Sequence, residues 1–260
     1  SSIHGDKEIS GTFGFRHFAF EKKGPFYLNG KRLFLRGTHR HEDHAGTGPA
    51  MTEDLIRKEM HMIKSIDVYF IRLGYYQQSR IVLEECDRLG ILVWEEIPWC
   101  RGGIGGDTYR ERARQMLRNM IGQHYNHPSI IIWGLGNEND WPGDFETFPE
   151  DSIRRFMQEL NALSHLHDPS RKTAIRRCDF CKDVVDVYSP SIWAGWYRGK
   201  YTDYMMATRT NWEEVDHFLH VEWGASHHAR RHSPNPDMGL EAITSSKMAD
   251  ERDGDSLMKG

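Results

Sequence analysis

The chain has 260 residues, 38% of them hydrophobic and 12% aromatic with eight Trp, and a formal net charge of −4. That length holds one large domain or two small ones, and α/β barrels of about 250 residues are single domains. The mild acidity, without a basic stripe, excludes a nucleic-acid backbone as partner. No run approaches the ~18 consecutive apolar residues of a membrane span, and no signal peptide is visible at the start. The compartment stays open, with the periplasm or cytoplasm of a bacterium as the expected setting.

The first thirty residues alternate apolar and polar side chains, with turn signals at Lys23-Gly24-Pro25 and Asn29-Gly30. This pattern predicts a short β-meander, with Asn-Gly as a hairpin turn. From Arg32 onward, strand and helix alternate. Residues 32–38 read as a first strand. Thr52 then caps a helix in which Leu55, Ile56, Met60, Ile63 and Ile66 recur at helical spacing. Residues 67–73 form the second strand, followed by a helix through Ile81, Leu83 and Cys86 to Leu89 that Gly90 stops. A third strand spans 91–97, and a helix spans about 107–125. The run "SIIIWGLG" (129–136) is the fourth strand, and a helix covers about 150–166. Residues 172–176, 184–190 and 217–223 complete seven strands.

Such alternation implies a parallel sheet covered on its faces, and seven units point to a (β/α)8 barrel over an open sheet. After 223 the sequence turns polar and rich in turn residues, so the barrel is expected to be incomplete, without its eighth strand.

In parallel α/β folds, functional side chains gather at the C-terminal ends of strands. Those ends carry His39-Arg40-His41-Glu42-Asp43-His44, Arg72, Glu95-Glu96, Asn137-Glu138-Asn139-Asp140, Tyr188 with Trp193, and Glu222-Trp223. Two chemistries fit such a rim. His39 and His41 alternate on an extended segment and could share a metal, but no second group of ligands accompanies them. Two glutamates facing each other across a barrel mouth could instead hydrolyse a glycosidic bond. One would protonate the leaving oxygen, and the other would attack the anomeric carbon from ~5 Å away in a retaining enzyme. Glu138 and Glu222 stand at suitable strand ends, Asn137 could bond a sugar hydroxyl, and nearby Trp residues offer stacking faces. Glu95 and Glu96 read as structural, one of them paired with Arg40 or Arg72 inside the barrel. The four cysteines include one CxxC, Cys178 to Cys181, with no second ligand pair to make a zinc site. His227, His228 and His232 read as solvated loop residues.

The segments "FGFR", "LNGKRLFLRGTHRHED", "CDRLGILVWEEIP", "NHPSIIIWGLGNE", "DPSRK" and "HVEWGA" occur in the order and spacing of glycoside hydrolase family 2. The chain resembles that family over about residues 10 to 230. The resemblance implies a TIM barrel preceded by β-sandwich domains, with residues 1–25 as the end of a sandwich and its linker and 26–260 as the catalytic barrel. It also implies a retaining, exo-acting mechanism on an oligosaccharide or other β-glycoside, with oligomerisation through domains outside this chain. Glu138 falls on the acid/base motif and Glu222 on the nucleophile motif. Arg40 falls where the family keeps an Arg near the nucleophile, and Asp43 where it keeps a sugar contact. Tyr75 stands where a sugar-facing His is usual, and His39 where an Asn is usual. Residues 191–196 depart from the usual Asn-x-Tyr-x-Gly-Trp, leaving Tyr188 or Trp193 to help hold the nucleophile. Trp193 and Trp223 complete the expected sugar-binding set. The segment "EEIPWCRGG" lacks a Glu-x-His pair, so no catalytic Mg2+ and no other cofactor is expected. A β-galactoside is the first expected substrate, a β-glucuronide or another β-glycoside of the family the alternative, and a non-catalytic carbohydrate binder or inactive fragment the contrasting class.

Overall fold

The computed structural model describes residues 12–142, 147–197 and 199–224. Three short strands come first: β1 (Phe18–Phe20), β2 (Phe26–Leu28) and β3 (Lys31–Leu33). They form the expected antiparallel meander. Asn29 and Gly30 at its tip both have positive φ (51° and 75°), the backbone that a tight two-residue hairpin turn demands.

The main sheet is parallel and six-stranded, in the order β4 (Gly37–Arg40), β5 (Phe70–Leu73), β6 (Leu92–Glu96), β7 (Ile130–Asn137), β8 (Lys172–Arg176) and β9 (Val187–Ser189). Helices α1 (Glu53–Ser65), α2 (Arg80–Leu89), α3 (Asp107–His124) and α4 (Glu150–His167) connect the first five strands in turn. Between β9 and the last run of chain lies α5 (Tyr204–Glu214). This is the curled sheet of a (β/α) barrel, with no eighth strand among the described residues. The helix ends follow local chemistry. The Thr52 hydroxyl accepts the Leu55 amide at the start of α1, and Gly90 ends α2 in the left-handed conformation at φ 65°.

Two expected strands come out differently. Residues 32–38 split, because β3 pairs with the meander while β4 opens the barrel. Residues 217–223 form no continuous strand and meet the sheet through single parallel bridges, Tyr188 to Phe218 and Ile192 to Trp223. The ladder breaks because the Val221 amide donates to the Ser189 hydroxyl (3.1 Å) instead of to a backbone carbonyl. The boundary expected at residue 25 falls between β1 and β2, which are hydrogen-bonded partners.

The core has two layers. Outside the sheet, Ile71, Leu73, Val93, Trp133, Leu135 and Ile175 pack against apolar faces of the helices. Inside, Phe70, Leu92, Trp94, Ile132, Ala174 and Val187 fill the lower barrel, and Phe26 of the meander packs among them. The meander is therefore a plug under the barrel, and it leaves the opposite, C-terminal mouth open. Fully burying aromatic and aliphatic side chains of this kind stabilises by roughly 1.5–3 kcal/mol each.

Two further contacts bind the wall. Asp168, just past α4, accepts from Trp133 Nε1 (2.9 Å) and from Arg171 Nη1 (2.6 Å), tying β7 to the turn before β8. Gly134 on β7 has no room for a side chain, since a Cβ there would lie 2.3 Å from Trp94 Nε1 and 2.6 Å from Glu96 Cγ. Overpacking of this kind costs about 1–3 kcal/mol. Gly134→Ala should lower the urea midpoint of the complete protein correspondingly. An unchanged midpoint would mean that Trp94 and Glu96 do not fill the barrel at this level.

Candidate active site

Strand β7 is buried along its whole length and ends on Asn137. The chain then turns sharply. Glu138 takes a positive φ of 54°, an uncommon conformation for a residue with a Cβ, while its amide donates to the Arg176 carbonyl (2.8 Å). Arg101 (φ 65°) and Arg177 (φ 52°) are left-handed as well. Both lie close to Glu138, Arg177 Nη1 at 3.3 Å from Oε1 and Arg101 Nε at 3.9 Å from Oε2. Backbone held in such regions costs of order 1–3 kcal/mol per residue and persists where the surroundings over-determine it.

Across the mouth, Glu222 follows the short bridged segment after α5. Its carboxylate is gripped by two guanidiniums, Arg72 Nη1 at 3.1 Å from Oε2 and Arg176 Nη2 at 2.9 Å from Oε1. The other terminal nitrogen of Arg176 reaches Glu138 Oε1 at 2.7 Å. One planar guanidinium at the end of β8 thus spans both glutamates. Arg72 is fully buried and is held in turn by Glu96 Oε1 (2.8 Å) and by Asn137 Oδ1 (2.8 Å). Trp94 Nε1 donates to Glu96 from below (2.8 Å). The pair lines a cleft of about 600 Å3 together with Tyr75, Trp141, Asp140, Trp193 and Tyr197.

The other expected residues are placed as follows. Arg40 does not reach Glu222. It is buried against α1 and the loop before α2, donating to Glu59 (2.8 Å) and Gln78 (2.5 Å). The guanidiniums beside Glu222 are Arg72 and Arg176 instead, because side chains alternate along a strand and Arg40 faces outward from the sheet. Asn137 is buried with its amide engaged, Nδ2 donating to Cys100 Sγ at 3.4 Å. Asp43 is exposed on the loop after β4. Trp223 is 59% exposed and packs on Tyr204, whereas Trp193 lines the cleft and packs edge-on against Tyr197. Tyr75 lines the cleft above Arg72. Neither Tyr188 nor Trp193 bonds Glu222 among the described residues; the two arginines occupy its oxygens. Glu95 faces outward to His124 (2.9 Å), and Glu96 is the acid inside the barrel. Cys178 and Cys181 are buried and free. His227, His228 and His232 lie outside the described residues.

Arg176, Arg177, Arg101 and Trp141 were not anticipated. The strand-end rule that singled out Glu138 applies equally to Arg176, at the end of 172–176, and would have found it. Arg101 and Trp141 belong to loops, and no periodicity marks them.

His39 and His41 lie with ring centroids 4.5 Å apart on the opposite side, beside Tyr75. Among the described residues, no three His, Cys, Asp or Glu side chains are placed to hold a metal. Burial, joined by the charge of Arg72, pulls the His39 imidazole down to about 3, against the opposing bond to the Gly74 carbonyl. His41 is lowered for the same two reasons.

A barrel mouth with two glutamates on one guanidinium, above a plugged apolar interior, defines a carboxylate-pair α/β-barrel protein. The chain belongs to the glycosyl hydrolases family 2, whose TIM barrel domain profile matches residues 20–229. A Formosa agariphila protein provisionally named as a β-glucuronidase is 50% identical over 244 residues, covering 94% of this chain and 30% of that protein. A β-galactosidase of Thermoanaerobacterium thermosulfurigenes is 36% identical, over 68% of this chain and 24% of its own length. Among solved structures, the β-glucuronidase of Parabacteroides merdae superposes with a TM-score of 0.83 at 67% identity, over 86% of this chain and 28% of that one. The chain thus spans under a third of the length of each of these relatives.

The neutral His39 makes stability depend on pH. An unfolded His titrates near ~6.5, so below that value the unfolded chain binds a proton that the folded chain refuses. Folded stability should therefore fall as pH drops from about 6.5 toward about 3. His39→Gln should lose less of its urea midpoint between pH 7 and pH 5 than the parent does. Equal losses would mean that His39 titrates normally in the folded protein.

Proposed function

We propose that the protein carrying this chain is a retaining β-glycosidase, with Glu222 as nucleophile and Glu138 as acid/base. The observation that carries this reading is the single guanidinium of Arg176 spanning both carboxylates. Such a span favours the ~5 Å separation of retaining enzymes over the ~6.5–9.5 Å that leaves room for water in inverting ones. Glu222 attacks the anomeric carbon while Glu138 protonates the departing oxygen. Glu138 then takes a proton from the water that releases the sugar. Arg72 and Arg176 orient Glu222 and offset its charge until attack. Glu138 Oε1 is occupied by Arg176 and Arg177, so Oε2 is the oxygen left to carry the transferred proton.

The favoured substrate class is the β-D-glucuronide. Its support is the name carried by relatives at 50% and 67% identity. The β-galactoside expected above has the weaker support of a relative at 36% identity. Asn137 serves as a brace for Arg72 in this reading, and Asp43, Tyr75, Trp193 and Trp223 are carried forward as candidate sugar contacts.

In the complete protein, Glu222→Ala should reduce turnover on an aryl β-glycoside by roughly three orders of magnitude or more. Glu138→Ala should lose comparable activity on substrates with poor leaving groups but much less on those with good ones, since these depart without a proton. Near-normal activity of Glu222→Ala on any of these substrates, or of Glu138→Ala on those with poor leaving groups, would overturn the role assigned. A panel of 4-nitrophenyl β-glycosides decides the sugar: kcat/KM highest on the glucuronide supports the favoured class, and highest on the galactoside reverses it.

A further inference from the structure

Beside Glu138 the cleft carries two guanidiniums, Arg101 and Arg177, to which the proposed reaction gives no role. Arg101 and Arg177 both line the cleft beside Glu138, and both lie over the ring of Trp141, at 5.6 Å and 4.8 Å. Trp141 is 44% exposed and contacts each of the two guanidiniums through its ring. The cleft lining contains five charged residues: Arg101, Glu138, Asp140, Arg177 and Glu222. Asp140 is paired with Arg177 Nε at 3.0 Å. Arg101 is half exposed, and among the described residues its ion pair is with Glu138 alone.

That last pair does not survive the chemistry. An acid can protonate a leaving group only while it holds a proton, and a protonated Glu138 is neutral. In the working form, Arg101 loses its anionic partner while facing the space into which the leaving group must extend. Both arginines also stand on left-handed backbone, which fixes where their side chains start.

We propose that the leaving-group side of this cleft selects an anionic aglycone, a ring bearing a sulfate or carboxylate that pairs with Arg101 and Arg177. The proposal rests on Glu138 being the acid, because the acid faces the leaving-group oxygen. Arginine suits the task, since its planar fork bonds two oxygens of such a group at once.

The test compares two substrates in the complete protein, a 4-methylumbelliferyl β-D-glucuronide and its ring-sulfonated counterpart, with the matching galactosides in parallel. The measured quantity is the ratio of kcat/KM for charged over neutral aglycone. Comparing this ratio between variants cancels the intrinsic difference between the leaving groups. Arg101→Gln should lower the ratio about tenfold, and Arg101→Lys should restore part of it. Raising salt from ~0.05 to ~0.5 M should compress the ratio in the parent and hardly change it in Arg101→Gln. A ratio unaltered by Arg101→Gln overturns the proposal.

If the parent hydrolyses none of these glycosides, the glycosidase reading fails, and binding decides the aglycone question separately. Glu138→Gln imitates the protonated acid. Phenyl sulfate, followed by NMR titration, should bind this variant more tightly than phenol does. Adding Arg101→Gln should weaken phenyl sulfate about tenfold while leaving phenol unaffected. Equal affinity for the two probes, or no effect of the second substitution, refutes the anionic subsite.

Discussion

Everything at the barrel mouth hangs on one chain of alternating charge. It runs from Glu96 to Arg72, Glu222, Arg176, Glu138, Arg177 and Asp140, with an ion pair at each link. Glu96, Arg72 and Arg176 are buried and the two glutamates of the mouth half-buried, and a buried charge without a partner costs several kcal/mol. Alternation removes that penalty, because each guanidinium sits between carboxylates and each inner carboxylate sits between guanidiniums. The same alternation holds geometry. A planar fork has fixed angles, so Arg176 constrains both glutamates at once in a way that a flexible lysine ammonium could not.

The layer beneath allows that chain to exist. Glu96 can stand inside the barrel because Trp94 donates to it and Gly134 yields the room it needs. Below them, the interior is apolar and closed by Phe26 of the meander. Water is therefore kept from the lower side of the ion pairs, which strengthens them, while the upper side opens into the cleft. The strained turn at Glu138 belongs to the same arrangement. The hydrogen bond from its amide to the Arg176 carbonyl ties the end of β7 to the end of β8, so Glu138 and the bridging arginine share one anchor.

The two sides of the cleft differ electrically. Toward His39, His41 and Tyr75, the side chains are aromatic and the imidazole of His39 is neutral. Toward Arg101, Arg177 and Trp141, the surface is charged, with two guanidiniums set against Glu138 and Asp140. That asymmetry matches the division of labour in the proposed reaction, with a sugar to be held on one side and a leaving group to be met on the other.

Much of this was legible in the amino-acid order alone. The alternation of strands and helices, the meander with its Asn-Gly turn, the Thr52 and Gly90 helix ends and the family motifs all follow from local pattern. So does the candidacy of Glu138 and Glu222, because a strand's apolar run ends where its polar residues begin. What local pattern could not convey was pairing. Arg40 and Arg72 look alike as strand-end arginines, and only the pleat decides that Arg72 points into the barrel while Arg40 points out to Glu59 and Gln78. Residues 217–223 have the composition of a strand, yet the Ser189 hydroxyl takes the Val221 amide and breaks the ladder. Arg176 acquires its role from standing between two glutamates that lie 38 residues before it and 46 after it. Charge pairing over such separations depends on curvature, register and side-chain direction together. The sequence by itself determined the barrel's strand and helix order and the two candidate glutamates on it; the tertiary structure decided which arginines and aromatic rings touch them.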